Sequence, residues 1–150
     1  MTKETEYKYD LFISYASVDK SFVQSLVDTL AEYGLTVWYD NGELRFGDSI
    51  LRFIEDGLEN SRFFLLVLSP GYFKGSWPQF ETGVALSRVG KEHILPLYNG
   101  INPQDVEGHL PLLTDKIGLE TKKHSLQELA EMILARVRRD RDEGTSVVTK

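Results

Sequence analysis

Trp77 and Glu81 stand four residues apart just after Ser76, in a stretch that carries helix-start signals. That spacing puts both side chains on one helix face, with their Cβ atoms within about 6 Å. A lone carboxylate beside an aromatic wall suits a cationic or cation-forming ligand. The same spacing also suits a core tryptophan beside a glutamate that complements the positive end of a helix dipole. Other chemistries lack their residues. The chain has no cysteine, which excludes thiol catalysis, zinc-thiolate sites and iron–sulfur clusters. Ser14-Tyr15-Ala16-Ser17-Val18-Asp19 holds no glycine, so neither a dinucleotide-binding turn nor a Walker loop follows the first strand. A phospho-receiver wants an acidic pair where Ser14-Tyr15 stand and an aspartate where Leu68-Ser69 stand. No G-x-S-x-G elbow is present for Ser/His/Asp hydrolysis. His93, His109 and His124 lie far apart with no ligand spacing, so they read as solvated surface residues and no metal is expected.

The elements that must position these residues alternate. Tyr9 to Ser14 is a short apolar strand, followed by a helix with Phe22, Val23, Leu26, Val27 and Leu30 on one stripe and Gly34 at its end. Leu35 to Tyr39 is a second strand, and Asp40 to Gly47 a polar loop. A helix from about Asp48 points Ile50, Leu51, Ile54 and Leu58 inward. Phe63 to Leu68 is a central strand covered on both faces, broken by Ser69-Pro70-Gly71. Ser76 and Gln79 form a capping box with Pro78 in the first turn. Ile94 to Tyr98 is the fourth strand, Asn99 to Thr114 a long connection with a short helix around Val106 to Leu110, and Lys116 to Leu119 a weak edge strand. A second capping box, Ser125 with Glu128, opens the last helix, which carries Leu126, Leu129, Ala130, Ile133, Leu134 and Val137. Beyond Arg141 the chain turns polar and is expected to fray. Arg136, Arg138, Arg139 and Arg141 read as a solvated face suited to the negative helix end, with a basic contact for an adjoining domain or nucleic acid as the alternative.

This alternation predicts a flavodoxin-like three-layer α/β/α fold with a mostly parallel, about five-stranded sheet. Ligands of such sheets sit beyond the carboxyl ends of the strands, which groups Ser14 to Ser17, Tyr39 to Gly47 and Ser69 to Trp77 on one rim. The 150 residues suffice for one domain that needs no staple. A formal charge of -6 argues against wrapping nucleic acid. No apolar run approaches the roughly 18 residues of a membrane span, and Met1 to Asp10 is no signal peptide. The expected location is the cytoplasm, with which the absence of cysteine agrees.

Six stretches, in order, resemble the bacterial type of Toll/interleukin-receptor (TIR) domain. They are Tyr9 to Lys20, Gly34 to Asp40, Leu44 to Ile50, Gly57 to Arg62, Val67 to Phe73, and Ser76-Trp77-Pro78-Gln79-Phe80-Glu81. The resemblance implies a domain over 9–140, an N-terminal tail over 1–8 and a C-terminal tail over 141–150 that would serve as a linker if a further domain follows. It implies that Glu81, the glutamate of W-x-x-x-E, is catalytic in cleaving NAD+. It implies substrate contacts at Ser14, Tyr15, Ala16, Ser17, Trp38, Arg45, Phe46, Ser76 and Trp77. It also implies an assembly loop at Leu44, Arg45, Phe46 and Gly47, which makes other TIR domains, in a homo-oligomer or filament, the expected partners.

Each implication has a plainer counterpart in the residues. Ser17 or Asp19 would serve equally as helix-start caps. Trp38 and Tyr39 are first of all sheet residues. Leu44 and Phe46 could pack on their own sheet, and Arg45 and Phe46 could touch either nucleotide or a neighbouring subunit. The chemistry itself fits one carboxylate: nicotinamide leaves a cationic precursor as a neutral base, so no general acid is required, and the oxocarbenium-like transition state needs a negative neighbour. The expected activity is that of an NAD+ glycohydrolase or ADP-ribosyl cyclase in bacterial immunity or virulence. NAD+ is the substrate and no cofactor is needed. The rival readings are a non-enzymatic TIR scaffold and a nucleoside-cleaving enzyme that ignores NAD+.

Overall fold

Apolar side chains alternate along β1 (Tyr9–Ser14): Leu11 and Ile13 enter one core cluster and Phe12 the other. The structure, a computed structural model, describes residues 7–39, 49–74, 93–110, 113 and 116–149. β3 (Ser61–Leu68) divides its side chains in the same way, with Phe63, Leu65 and Val67 opposite Phe64, Leu66 and Leu68. A strand apolar on both faces must be covered on both. α1 (Lys20–Glu32) and the last helix, α5 (Leu126–Thr149), pack together over the first cluster. α2 (Ile50–Asn60), α3 (Pro70–Lys74) and α4 (Pro103–His109) contribute residues to the second.

The sheet is five-stranded in the order β2-β1-β3-β4-β5, and every pairing is parallel. β4 is Ile94–Tyr98, and the two edges are short: β2 is Val37–Tyr39 and β5 is Leu119–Glu120. This is the flavodoxin-like order, whose topological switch point falls between β1 and β3.

Local chemistry explains where elements start and stop. Gly34 at φ +86° closes α1: its N–H reaches Ala31 O at 2.9 Å, and Leu35 N–H reaches Leu30 O at 3.1 Å. This is a Schellman closure. Leu35 is therefore part of the helix stop, buried but outside the strand, and β2 begins two residues later than its composition predicts. Asn102 caps α4 through Gln104 N–H at 2.9 Å, with Pro103 at its first position, so that helix starts earlier than Val106. Ser125 and Glu128 make both bonds of their capping box, at 3.0 and 2.9 Å.

Several expectations are corrected. Phe53, absent from the predicted inward stripe of α2, meets Phe12 edge-on at 5.6 Å, because buried Gly57 lets the helix sit close on that ring. Of the predicted stripe, Leu58 packs on the second cluster, and the side chains of Ile50, Leu51 and Ile54 lie outside the description. The segment after β3 is not only a break: Ser69 and Pro70 start the short α3. The edge strand forms at Leu119–Glu120 rather than over Lys116 to Leu119. α5 continues past Arg141 to Thr149 rather than fraying there. Arg136 is half-buried over the Phe63 ring at 4.9 Å instead of solvated. His93 is likewise half-buried, its ring 5.4 Å from that of Phe63.

Candidate functional site at the carboxyl rim of the sheet

At the switch point the ends of β1 and β3 bring four hydroxyl and carboxylate groups together. Ser14, the last residue of β1, is 1% exposed, and its hydroxyl pairs with the Tyr72 hydroxyl of α3 at 3.1 Å. Tyr72 N–H donates to Ser69 Oγ at 3.2 Å, and the Ser69 hydroxyl donates to Asp19. The other Asp19 oxygen accepts from Asn99 Nδ2 at 3.0 Å, and Asn99 Oδ1 accepts from the Thr121 hydroxyl at 2.7 Å. Ser69, Asn99 and Thr121 each follow directly on the last residue of β3, β4 and β5. One polar chain therefore runs along the carboxyl ends of four strands. Sequence spacing shows only Asp19 as a possible cap; its partners lie 50 and 80 residues away. The available signal was a polar residue following each apolar strand.

Tyr15 and Ala16 are buried and Ser17 is exposed, so the β1 loop presents Ser17 and backbone at its surface. Ser17–Asp19 forms a 3-10 turn, in which Val18 is 72% exposed and Asp19 N–H bonds Ala16 O at 2.8 Å. A Cβ on Gly71 would lie 2.3 Å from Val18 Cγ1, so a larger residue there would push the Val18 side chain aside. Trp38 is a half-buried sheet residue opposite Phe12 in register, set against Tyr9 at 5.2 Å and Phe53 at 5.6 Å. Among the described residues its buried Nε1 has no hydrogen-bond partner. Tyr98, at the end of β4, has its phenol pushed above the ordinary 10.0, chiefly by burial and further by Glu107.

Of the other predicted site residues, Leu44, Arg45, Phe46, Gly47, Ser76, Trp77 and Glu81 lie outside the described residues. Among the described residues no group of three His, Cys, Asp or Glu could hold a metal ion. Two depressions lie away from the rim. One of about 600 Å³ sits near the start of β3, beside Arg52, Ser61 and His93. The other, about 550 Å³, lies between the β4–β5 edge and α5, beside Pro96, Ile117 and Met132.

Comparison with known proteins agrees with this architecture. The family model described as "TIR domain" matches residues 11–134. The chain is 42% identical over 133 residues to the 2' cyclic ADP-D-ribose synthase AbTIR of Acinetobacter baumannii, covering 87% of this chain and 49% of that protein. It is 39% identical over 133 residues to the NAD(+) hydrolase PdTIR of Paracoccus denitrificans, covering 87% and 44%. The chain thus spans about half the length of the curated relatives it matches. Among solved structures, the TIR domain of a Toll-related receptor from Hydra magnipapillata superposes with a TM-score of 0.64 at 22% identity, over 89% of this chain and 98% of that one. A metazoan TIR-STING receptor from C. gigas gives 0.67 at 20% identity, over 91% and 41%. With a flavodoxin-like parallel sheet, the rim it builds and a family match over residues 11–134, the chain belongs to the TIR-domain family.

Proposed function

We propose that this domain cleaves the nicotinamide–ribose bond of NAD+, releasing nicotinamide and ADP-ribose in linear or cyclic form. The observation that carries the proposal is the roughly 40% identity to relatives named for NAD+ hydrolysis and cyclic ADP-ribose synthesis, over nearly the whole domain. Glu81 is the catalytic residue: its carboxylate hydrogen-bonds the ribose hydroxyls and stabilises the positive charge that develops at the anomeric carbon. The C–N bond breaks with its electron pair going to nicotinamide, which leaves neutral. Water, or a hydroxyl of the substrate itself, then bonds to that carbon and gives its proton to solvent. Trp77 walls the ribose and excludes water. The β1 loop, with Ser17 at its surface, holds the pyrophosphate or nicotinamide end, and Ser76, Trp38, Arg45 and Phe46 complete the contacts.

The functional unit is 9–140, no cofactor is consumed, and the site of action is the cytoplasm, where NAD+ is abundant. Among the described residues no helix is long and apolar enough to cross a membrane. Incubating the purified chain with NAD+ tests the proposal. Nicotinamide release that disappears in Glu81→Gln supports it, and chromatography of the products tells linear from cyclic. No nicotinamide at any protein concentration would leave a binding scaffold, and release of base from nucleosides alone would indicate the third class of activity.

A further inference from the structure

We infer that Asp19 is a positioning residue: it holds the β1 loop, residues 14–19, against the β3–α3 corner and so sets the affinity of the rim for its nucleotide. The inference rests on the proposed function for its ligand, and on three observations for its geometry. Asp19 stands at the N-cap of α1, where an aspartate ordinarily accepts a bond from the helix's own first turn. Here its side chain caps nothing. Both carboxylate oxygens are instead spent on the ends of β3 and β4, through Ser69 and Asn99.

A carboxylate suits that place because it accepts from two donors at once and has no proton of its own to misplace. The second observation is that the same loop lies close against α3 one residue earlier, where the exposed Val18 sits beside Gly71 in the space a side chain there would take. The third is that both anchors belong to one corner. Ser69 and Gly71 flank Pro70 at the start of α3, and the chain runs from there into the segment that carries Trp77 and Glu81. The β1 loop and the start of α3 thus share one fastening. Asp19 need not touch substrate to act; loosening it frees the β1 loop proposed to hold the nucleotide.

The test uses the full chain with Asp19→Asn, which keeps shape but turns an amide donor toward one of the two donors it must accept from. Expected is a KM for NAD+ raised about tenfold, the loss for one hydrogen bond to a charged group, with kcat within about twofold. Amide hydrogen exchange in residues 15–19 should accelerate by a similar factor while that of the β1 and β3 core stays put. Gly71→Ala, which pushes on Val18, should raise KM in the same direction, and Gly71→Ala with Val18→Ala should restore it. Asp28→Asn, on the exposed face of α1, is the charge control and should leave KM unchanged. If Asp19→Asn does not fold, Asn99→Ala removes one donor and reads the same shift at smaller size.

A folded Asp19→Asn with unaltered KM and unaltered loop exchange overturns the inference. So does a parallel fall of kcat with melting temperature at constant KM, which would mark a purely structural residue. Should the unmodified chain release no nicotinamide, the enzymatic reading fails by itself. Exchange in residues 15–19 then still decides whether Asp19 fastens the loop.

Discussion

At the scale of single residues, the proposed chemistry concentrates on one charge. Glu81→Gln keeps size and hydrogen bonding but removes the negative charge facing the oxocarbenium. Nicotinamide release should fall by about 10²–10³-fold, the usual effect of deleting one electrostatic stabiliser, with melting unchanged. Turnover at the native rate would remove Glu81 from the mechanism. Trp77→Ala should lower activity together with stability, by about 3–5 kcal/mol if the ring is core as well as wall, which a denaturant titration measures. Tyr98 makes a prediction about pH. Burial and Glu107 raise its folded-state value above 10.0, so its contribution to stability is complete below that pH and is lost as pH rises through the folded value. Urea denaturation at stepped alkaline pH should therefore show a smaller loss in Tyr98→Phe than in the native chain. The two kinds of residue differ in how far sequence alone exposes them. Trp77 and Glu81 can be singled out because their relation is local, four positions apart in the sequence. Asp19 cannot, since what makes it matter is bonds to Ser69 and Asn99 across 50 and 80 residues of chain.

At the scale of elements, the alternation of apolar runs and helical stripes was enough to place the strands, because each must bury a face with period two or three to four. Boundaries were less legible wherever a backbone bond decided them. Leu35 looks like a strand residue by type, yet it is held in the helix stop by its bond to Leu30. The inward face of α2 was also hidden, because it turns on a glycine. A Cβ at Gly57 would lie 2.8 Å from the Phe12 ring, and that ring is stacked on Phe64 at 4.8 Å with no slack to yield. Gly57→Ala should therefore cost about 1–3 kcal/mol, seen in calorimetry as a melting point lower by about 2–4 °C per kcal/mol. Gly108 in α4 supplies the contrast. Nothing lies within 4 Å of a Cβ there, so Gly108→Ala should stabilise the helix by about 0.5–1 kcal/mol.

At the scale of the molecule, residues 40–47 combine two glycines with Leu44 and Phe46, apolar groups suited to another copy of the domain. A neighbour laid over the rim would exclude water from the developing cation. Specific activity should then rise with protein concentration, and Phe46→Ala should abolish the rise. Activity strictly proportional to protein over a wide dilution series would make the single chain self-sufficient. The sheet itself dictates what form such an association takes. Among the described residues its outermost strands offer three residues at one side and two at the other, a short row for recruiting a foreign strand. Copies that associate are therefore expected to meet through side chains rather than through these strand edges, as whole folded bricks. Light scattering should grow while the amide infrared band stays constant and amyloid dyes stay dark. Dilution alone should then return the monomer, giving a polymer that stores no memory of having formed.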